Sequence, residues 1–221
     1  MASAAKPAKT AGAARAPKAP ALPKVPRPHA RGRGFFAGAF DEHGLDDAML
    51  VSWTERASDI GAKRLAPAKA SELLRSLWAN DRLMKRLTPP QMARQERYFV
   101  FATVPAGQEI VRQDEYGNFM LVLLTGSARV HRRQANGESL QLAEARPGDI
   151  LGEMSLLDSG ARFSRCATIG PCDVAVLHAQ ALDEMLVTDP ALAASLIGLL
   201  ARMLSLRLRA VSARLAAQRS D

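Results

Sequence analysis

The sequence predicts an α+β protein: a compact antiparallel β-roll or barrel, flanked by N-terminal helices and closed by a long C-terminal helix. Three observations predict it. Four short runs rich in β-branched, aromatic and leucine residues follow Tyr98 and are separated by turn signals at regular distances. The texture before Tyr98 is helical, and after about Ala181 leucines recur at intervals of three and four. The gaps between the apolar runs leave no room for the crossover helices that a parallel sheet needs, so the strands pair antiparallel.

The chain has 221 residues, 48% of them hydrophobic, and a net charge of +8. That length supports one good core with appendages. Residues 1 to 33 carry Lys6, Lys9, Arg15, Lys18, Lys24, Arg27, Arg31 and Arg33 with no acid, so the whole excess charge lies there and the remainder is balanced. Six prolines interrupt this Ala/Pro/Lys/Arg stretch, which predicts a disordered basic tail over residues 1–34. As a solvated leader it needs no partner; any DNA contact it makes is weak and non-specific, because it has no aromatic ring to stack on a base. No apolar run reaches the roughly 18 residues of a membrane span, and lysines without an apolar stretch behind them do not make a secretory signal. The two cysteines, Cys166 and Cys172, read as reduced thiols of a cytoplasmic protein.

Residues 35–95 form the helical N-terminal region. "DDAMLVSWTERASDI" has an acidic start and apolar Met49, Leu50 and Trp53; "PAKASELLRSLWANDRLMKRL" places Leu73, Leu74, Leu77 and Trp78 on one face before Leu83 and Leu87. Pro89 and Pro90 stop that helix and open another. The roll occupies residues 96–180, with strands in "YFVFATV", "FMLVLLT", "SARVHRR" and "ESLQLAE". Among the turn signals, Asn136-Gly137 is the strongest and predicts a type I′ hairpin, in which both central residues take positive φ.

The stretch "GEMSLLDSGARFSRC" carries the chemistry. Gly152 follows the strand ending at Leu151 and lets the backbone approach something closely. Glu153 begins a short helical turn whose first amides have no intrahelical partner, and Arg162 returns at the far side of the loop. Free amides with a guanidinium suit a phosphate, and a nearby carboxylate suits hydroxyl groups. A ligand with one phosphate and a ribose hydroxyl fits both; a Glu153–Arg162 ion pair that merely closes the loop is the alternative.

Over residues 83 to 215 the chain resembles the cyclic nucleotide-binding domains of the catabolite activator and fumarate-nitrate regulator (Crp/Fnr) type. The resemblance rests on "VPAGQEIVRQDEYGNFMLVLLTGSARV", on "PGDILGEMSLLDSGAR" and on the long closing helix. It implies a jelly-roll-like nucleotide-binding roll with cAMP or cGMP as ligand. It implies Glu153 on the ribose 2′-hydroxyl, Arg162 on the phosphate oxygens, and a cradle of backbone amides around Gly152, Met154, Ser155 and Leu156. Where the family has a small residue and then Ala-Thr after the arginine, this chain has Phe163, Ser164 and Arg165. Phe163 offers its amide without the usual hydroxyl, Ser164 can replace that hydroxyl, and Arg165 is a further candidate for the phosphate. The base-contacting positions of the family's closing helix fall near Arg207 and Leu208, so the base preference does not carry over, and Arg207 is a further ligand candidate.

Residues 181–221 make the closing helices, broken at Asp189-Pro190. Leu192, Leu196, Leu199, Met203 and Leu206 form a heptad seam, with Ile197, Leu200, Leu204, Leu208, Val211 and Leu215 as a second stripe. One stripe covers the roll and the other meets a partner helix, which predicts a homodimer. The chain ends directly after this helix, so no helix-turn-helix is expected. The absence of an N-terminal cysteine cluster and of metal-ligand spacing among His29, His43, His131 and His178 predicts no metal, haem or iron-sulfur centre. No nucleophile has an adjacent base, so no enzyme is expected. The sequence thus reads as a stand-alone cyclic nucleotide-binding regulator that signals to a protein partner by moving its helix. A DNA-associated regulator using the basic tail, a ligand-free dimerising scaffold, and an adaptor docking through residues 45 to 88 are the alternatives.

Overall fold

The computed structural model describes residues 34–218. The basic tail expected over residues 1–34 lies outside them except for Gly34, which belongs to the fold: its carbonyl accepts the amide of Gly38 at 2.9 Å and opens α1 (Phe35–Glu42). The Asp183 carboxylate caps that helix by accepting the amides of Phe36 and Ala37, both at 2.8 Å.

Two of the predicted helices are shorter than their apolar patterns suggested. Residues 50–51 are not helical but form β1 (Leu50–Val51), and α2 (Trp53–Asp59) starts only after Ser52. The reason is a capping box: the Ser52 hydroxyl accepts the Glu55 amide at 3.3 Å while the Glu55 carboxylate accepts the Ser52 amide at 2.8 Å. After β2 (Lys63–Arg64), α3 (Pro67–Trp78) stops at Trp78 instead of continuing to Leu87. There the Asp81 carboxylate takes the amides of Leu83 and Met84 at 2.8 and 3.1 Å, which starts a separate 3₁₀ turn at Met84–Arg86. Pro89 then opens α4 (Pro89–Arg94), as expected from its fixed φ.

The roll is two facing sheets. One contains β4 (Glu109–Val111), β10 (Arg165–Thr168), β7 (Ala128–Arg133) and β8 (Ser139–Ala145) in that order. The other runs β2, β3 (Phe99–Val104), β11 (Cys172–His178), β6 (Phe119–Leu123) and β9 (Ile150–Leu151). β5 (Tyr116–Gly117) pairs with β1 in parallel, which ties the N-terminal region to the loop before β6. All five residues of β6 are buried, so it does not alternate. Its odd positions Phe119, Leu121 and Leu123 fill the roll interior with Val174 and Val176, while Met120 and Val122 face the helices with Ala175 and Leu177. A strand covered on both faces loses the polar half of its period, which is why "FMLVLL" reads as a continuous run.

The β7–β8 hairpin differs from the type I′ expectation. Gly137 alone takes positive φ (+87°), and the Gly137 amide reaches the Gln134 carbonyl at 3.0 Å while Gln134 N–H reaches Glu138 O at 2.8 Å. This is a three-residue loop with the left-handed glycine of a G1 bulge, so only the glycine is conformationally required.

Between β9 and β10 lies α5 (Glu153–Asp158); after β11 come α6 (Ala179–Thr188) and α7 (Pro190–Gln218). The Asp189 carboxylate between them is held by the Tyr98 hydroxyl and by Arg94. The first half of α7 packs against α6, α4 and the 3₁₀ turn at Met84–Arg86, burying Leu192, Leu196, Leu199 and Leu200. Of the residues expected to form a dimer seam, Leu196, Leu199 and Leu200 are therefore spent on the protein's own core. Met203 and Leu204 are half-buried, and Leu208 and Val211 are exposed together with Leu206 and Leu215. By length and composition alone, Pro190–Ala217 is apolar enough to cross a membrane, with a mean hydropathy of 1.6 over its best window. That corrects the expectation that no run qualifies: Arg202 and Arg207, which lie inside the stretch, kept it from reading as a continuous apolar run.

Candidate functional site

The site is built at the point where the chain leaves β9. Gly152 has φ +78°, in the left-handed region, and a Cβ there would sit 2.5 Å from the Nη1 of Arg162. The close approach expected of this glycine is thus to the arginine of its own loop. Arg162 is 2% exposed, donating Nη1 to the Gly152 carbonyl and Nη2 to the Phe119 carbonyl, each at 2.6 Å. Its guanidinium lies 4.7 Å from the Phe119 ring centroid, a cation–π contact. On the far side a Cβ at Gly117 would lie 2.7 Å from Nη2, so the arginine is threaded between two glycines. Its own backbone is pinned to the preceding loop: the Arg162 amide reaches the Glu115 carbonyl at 2.8 Å and the Arg162 carbonyl accepts the Asp114 amide at 2.9 Å. Burial draws the guanidinium down to about 10, opposed by the charges of Glu115 and Glu153, and it remains protonated at neutral pH. Its Nε is buried without a hydrogen-bond partner.

Glu153, the first residue of α5, is 4% exposed. Burial pushes its carboxyl up, and the positive charges of Arg207 and Arg162 pull it back. The ion pair considered from sequence, Glu153 with Arg162, does not form; Glu153 pairs instead with Arg207, whose second nitrogen donates to the Ile150 carbonyl at 3.1 Å. The first amides of α5, Glu153, Met154 and Ser155, precede the first intrahelical donor, Leu156. Leu156 donates to the Gly152 carbonyl at 3.4 Å and its side chain is in the core, as Ser155 is buried, while Met154 is 43% exposed. Ser159, with φ +57°, closes the helix.

Phe163 is 49% exposed, with the Arg132 guanidinium 4.2 Å from its ring centroid and hydrogen-bonded to its carbonyl. Ser164 is half-buried next to it. Arg165 is exposed on β10 opposite His131. Strand alternation turns it away from Cys166, which faces the roll interior, so Arg165 does not join Arg162. Of the two further candidates, Arg207 enters the site and Arg165 stays outside it.

Sequence reasoning missed four participants. Arg56 of α2 is fully buried and pairs with Glu115, whose backbone holds Arg162. Trp53 packs edge-on against Phe119 at 5.6 Å between centroids, and Gly117 and Phe119 form the far wall around Arg162. The turn at Glu115–Asn118 contained Gly117 and the strand run "FMLVLLT" began at Phe119, but nothing in a short amphipathic helix marks Arg56. The two thiols are free and buried, and burial holds Cys166 up to about 12. Among the described residues, no group of three or more His, Cys, Asp or Glu side chains converges to hold a metal ion.

The site thus combines a two-sheet roll, a short helix between strands capped by Gly152, a buried carboxylate and a buried guanidinium. Residues 101–189 match the family model of the cyclic nucleotide-binding domain. The chain is 30% identical over 122 residues to the cyclic AMP receptor protein of Thermus thermophilus, covering 55% of this chain and 56% of that one. It is 29% identical over 100 residues to a CRP-like cAMP-activated global transcriptional regulator of Mycobacterium tuberculosis, 45% of each chain. Among solved structures, a cyclic nucleotide-binding domain from Methylobacillus flagellatus superposes with a TM-score of 0.66 at 25% identity, over 71% of this chain and 89% of that one. The Thermus thermophilus catabolite activator protein superposes with a TM-score of 0.52 at 29% identity, over 59% and 62%. The chain spans about half the length of the curated relatives it matches. It carries a cyclic nucleotide-binding domain with homologues of the Crp/Fnr type.

Proposed function

We propose that this protein is a regulatory sensor that binds cAMP or cGMP at the Gly152–Arg162 loop and signals to a protein partner through α7, as a homodimer. The observation that carries this reading is that one loop holds both a buried carboxylate, Glu153 at the start of a helical turn, and a buried guanidinium, Arg162, wedged between Gly117 and Gly152. Hydroxyls donate to the carboxylate, while the phosphate accepts from the first amides of α5 and from Arg162. The names of the Crp-type relatives support cAMP as the first ligand to try.

Thermal unfolding of the full chain with cAMP, cGMP and 5′-AMP tests this directly. At about 100 times its dissociation constant a ligand adds about 2.7 kcal/mol, or roughly 5 to 10 °C for a chain of this size. A shift with one cyclic nucleotide and none with 5′-AMP is the expected result. No shift with any of the three favours the dimerising scaffold, a reading supported by the way both forks of Arg162 are already satisfied by the carbonyls of Gly152 and Phe119.

The dimer rests on Leu204, Leu208, Val211 and Leu215, which step by four, three and four along the second half of α7. Leu208→Asp is expected to yield a monomer by sedimentation at concentrations where the unaltered chain is dimeric. Because Leu208 is 68% exposed, the substitution leaves the core of the monomer intact. A dimer of undiminished affinity removes this seam from the reading.

A further inference from the structure

The second half of α7 has little apolar attachment to the rest of the protein. From Ser205 to Ala217 every side chain is exposed. Against that background Arg207 makes two contacts with the roll at one point, its Nη1 with the Glu153 carboxylate and its Nη2 with the Ile150 carbonyl at 3.1 Å. The carboxylate it holds is the group that, on the nucleotide reading above, receives the ribose hydroxyl.

We propose that Arg207 is an intramolecular competitor for the ribose subsite: it occupies Glu153 in the ligand-free protein, and a cyclic nucleotide binds by displacing it and thereby frees the second half of α7. This inference rests on that reading of the site and adds the residue that regulates it.

Three features carry the proposal. Glu153 is 4% exposed, so its carboxylate has little water to turn to and needs a partner in every state. Its single ion-pair partner among the described residues is Arg207, since the neighbouring Arg162 is committed to two backbone carbonyls. The Arg207 side chain itself is 46% exposed, so it returns to water at little cost once released. The two ends of the pair are thus unequal. The carboxylate exchanges one partner for another, while the guanidinium is simply resolvated. Because the arginine sits on α7 and the carboxylate on α5, the exchange at one carboxylate becomes a change in how α7 is held. A ligand shifts that balance only through its differential affinity for the two arrangements, and here the difference is the hydroxyl that takes the place of the guanidinium.

The structure therefore assigns Arg207 a role in specificity as well as in signalling. A cyclic nucleotide without the 2′-hydroxyl has nothing to donate to Glu153 and leaves Arg207 in place, so it can occupy the phosphate subsite without releasing the helix.

Calorimetric titration of cAMP, cGMP and 2′-deoxy-3′,5′-cyclic AMP into the full chain, Arg207→Ala and Arg207→Gln tests the proposal. The second variant keeps hydrogen-bond donors without the charge, and circular dichroism establishes that each variant is folded. Removing the competitor removes the penalty on the binding-competent form, so both variants are expected to bind the hydroxyl-bearing nucleotide about tenfold more tightly or better. The deoxy analogue is expected to keep the affinity it has for the unaltered chain. In parallel, hydrogen exchange in residues 204–217 is expected to speed up on adding the cyclic nucleotide to the unaltered chain, and to be fast without it in Arg207→Ala. Equal or weaker binding by folded variants, with the unaltered chain binding normally, overturns the competitor while leaving the nucleotide site standing. No binding of any nucleotide by any of the three proteins overturns the nucleotide site and the competitor with it.

Discussion

Arg162→Ala is expected to lower stability by about 2 to 4 kcal/mol and to abolish nucleotide binding. The two effects have separate causes. From the sequence alone this arginine belongs to an exposed loop rim, where its removal leaves the fold intact. In the structure it is 2% exposed and its two forks satisfy the carbonyls of Gly152 and Phe119. Removing it strands two buried acceptors at about 1 to 3 kcal/mol each, partly offset by the relief of burying a charge. Arg162→Lys separates the contributions, because an ammonium keeps the charge without the planar fork and cannot span two carbonyls in the same way. Urea unfolding with a constant slope measures the loss; an Arg162→Ala midpoint equal to that of the unaltered chain would mean that the guanidinium does not hold this loop.

Gly152→Ala is the second large effect, expected to cost about 3 kcal/mol. Part is the strain of an L-residue in the left-handed region, about 1 to 2 kcal/mol; the rest is ejection of Arg162 by a Cβ that would sit 2.5 Å from its Nη1. Gly137 provides the control. It too has positive φ, at +87°, but a Cβ there meets nothing within 4 Å, so Gly137→Ala should show the strain alone. In an Arg162→Ala background the cost of Gly152→Ala should fall to that of the control, because the group it collides with is gone. Equal costs at the two glycines in the unaltered chain would dissolve the link between Gly152 and Arg162.

Both predictions depend on a contact between residues ten apart in sequence, and this marks how far the sequence could be read. The loop "GEMSLLDSGAR" was legible because its chemistry is local: a glycine, a carboxylate at the start of a helical turn and an arginine at the loop's end. Which partner each charge takes was not legible. Arg162 reaches Phe119, 43 residues away, and Glu153 reaches Arg207, 54 residues away. Arg56 could not be singled out at all, since its marks are burial and an ion pair with Glu115, 59 residues away, and both are created by tertiary packing. The overlong helices at 46–60 and 67–87 have the same origin. Apolar spacing continued past their true ends, but the side chains of Ser52 and Asp81 captured the backbone amides there.

By itself, then, the sequence determined the elements whose causes lie within a few residues. These are the roll's strands from period and turn chemistry, the short helix after Gly152, the break at Asp189-Pro190 and the leucine stripes of the closing helix. The tertiary structure alone decided what those elements face. It turned the first half of α7 into core at Leu196, Leu199 and Leu200, which come from both stripes, and left Leu206, Leu208 and Val211 outside. It also divided β6 between two cores, and brought Arg207 rather than Arg162 to the Glu153 carboxylate. The physical reason is range: backbone propensity and capping act over one turn, whereas a buried charge takes whichever partner the packing of distant segments delivers within hydrogen-bonding distance.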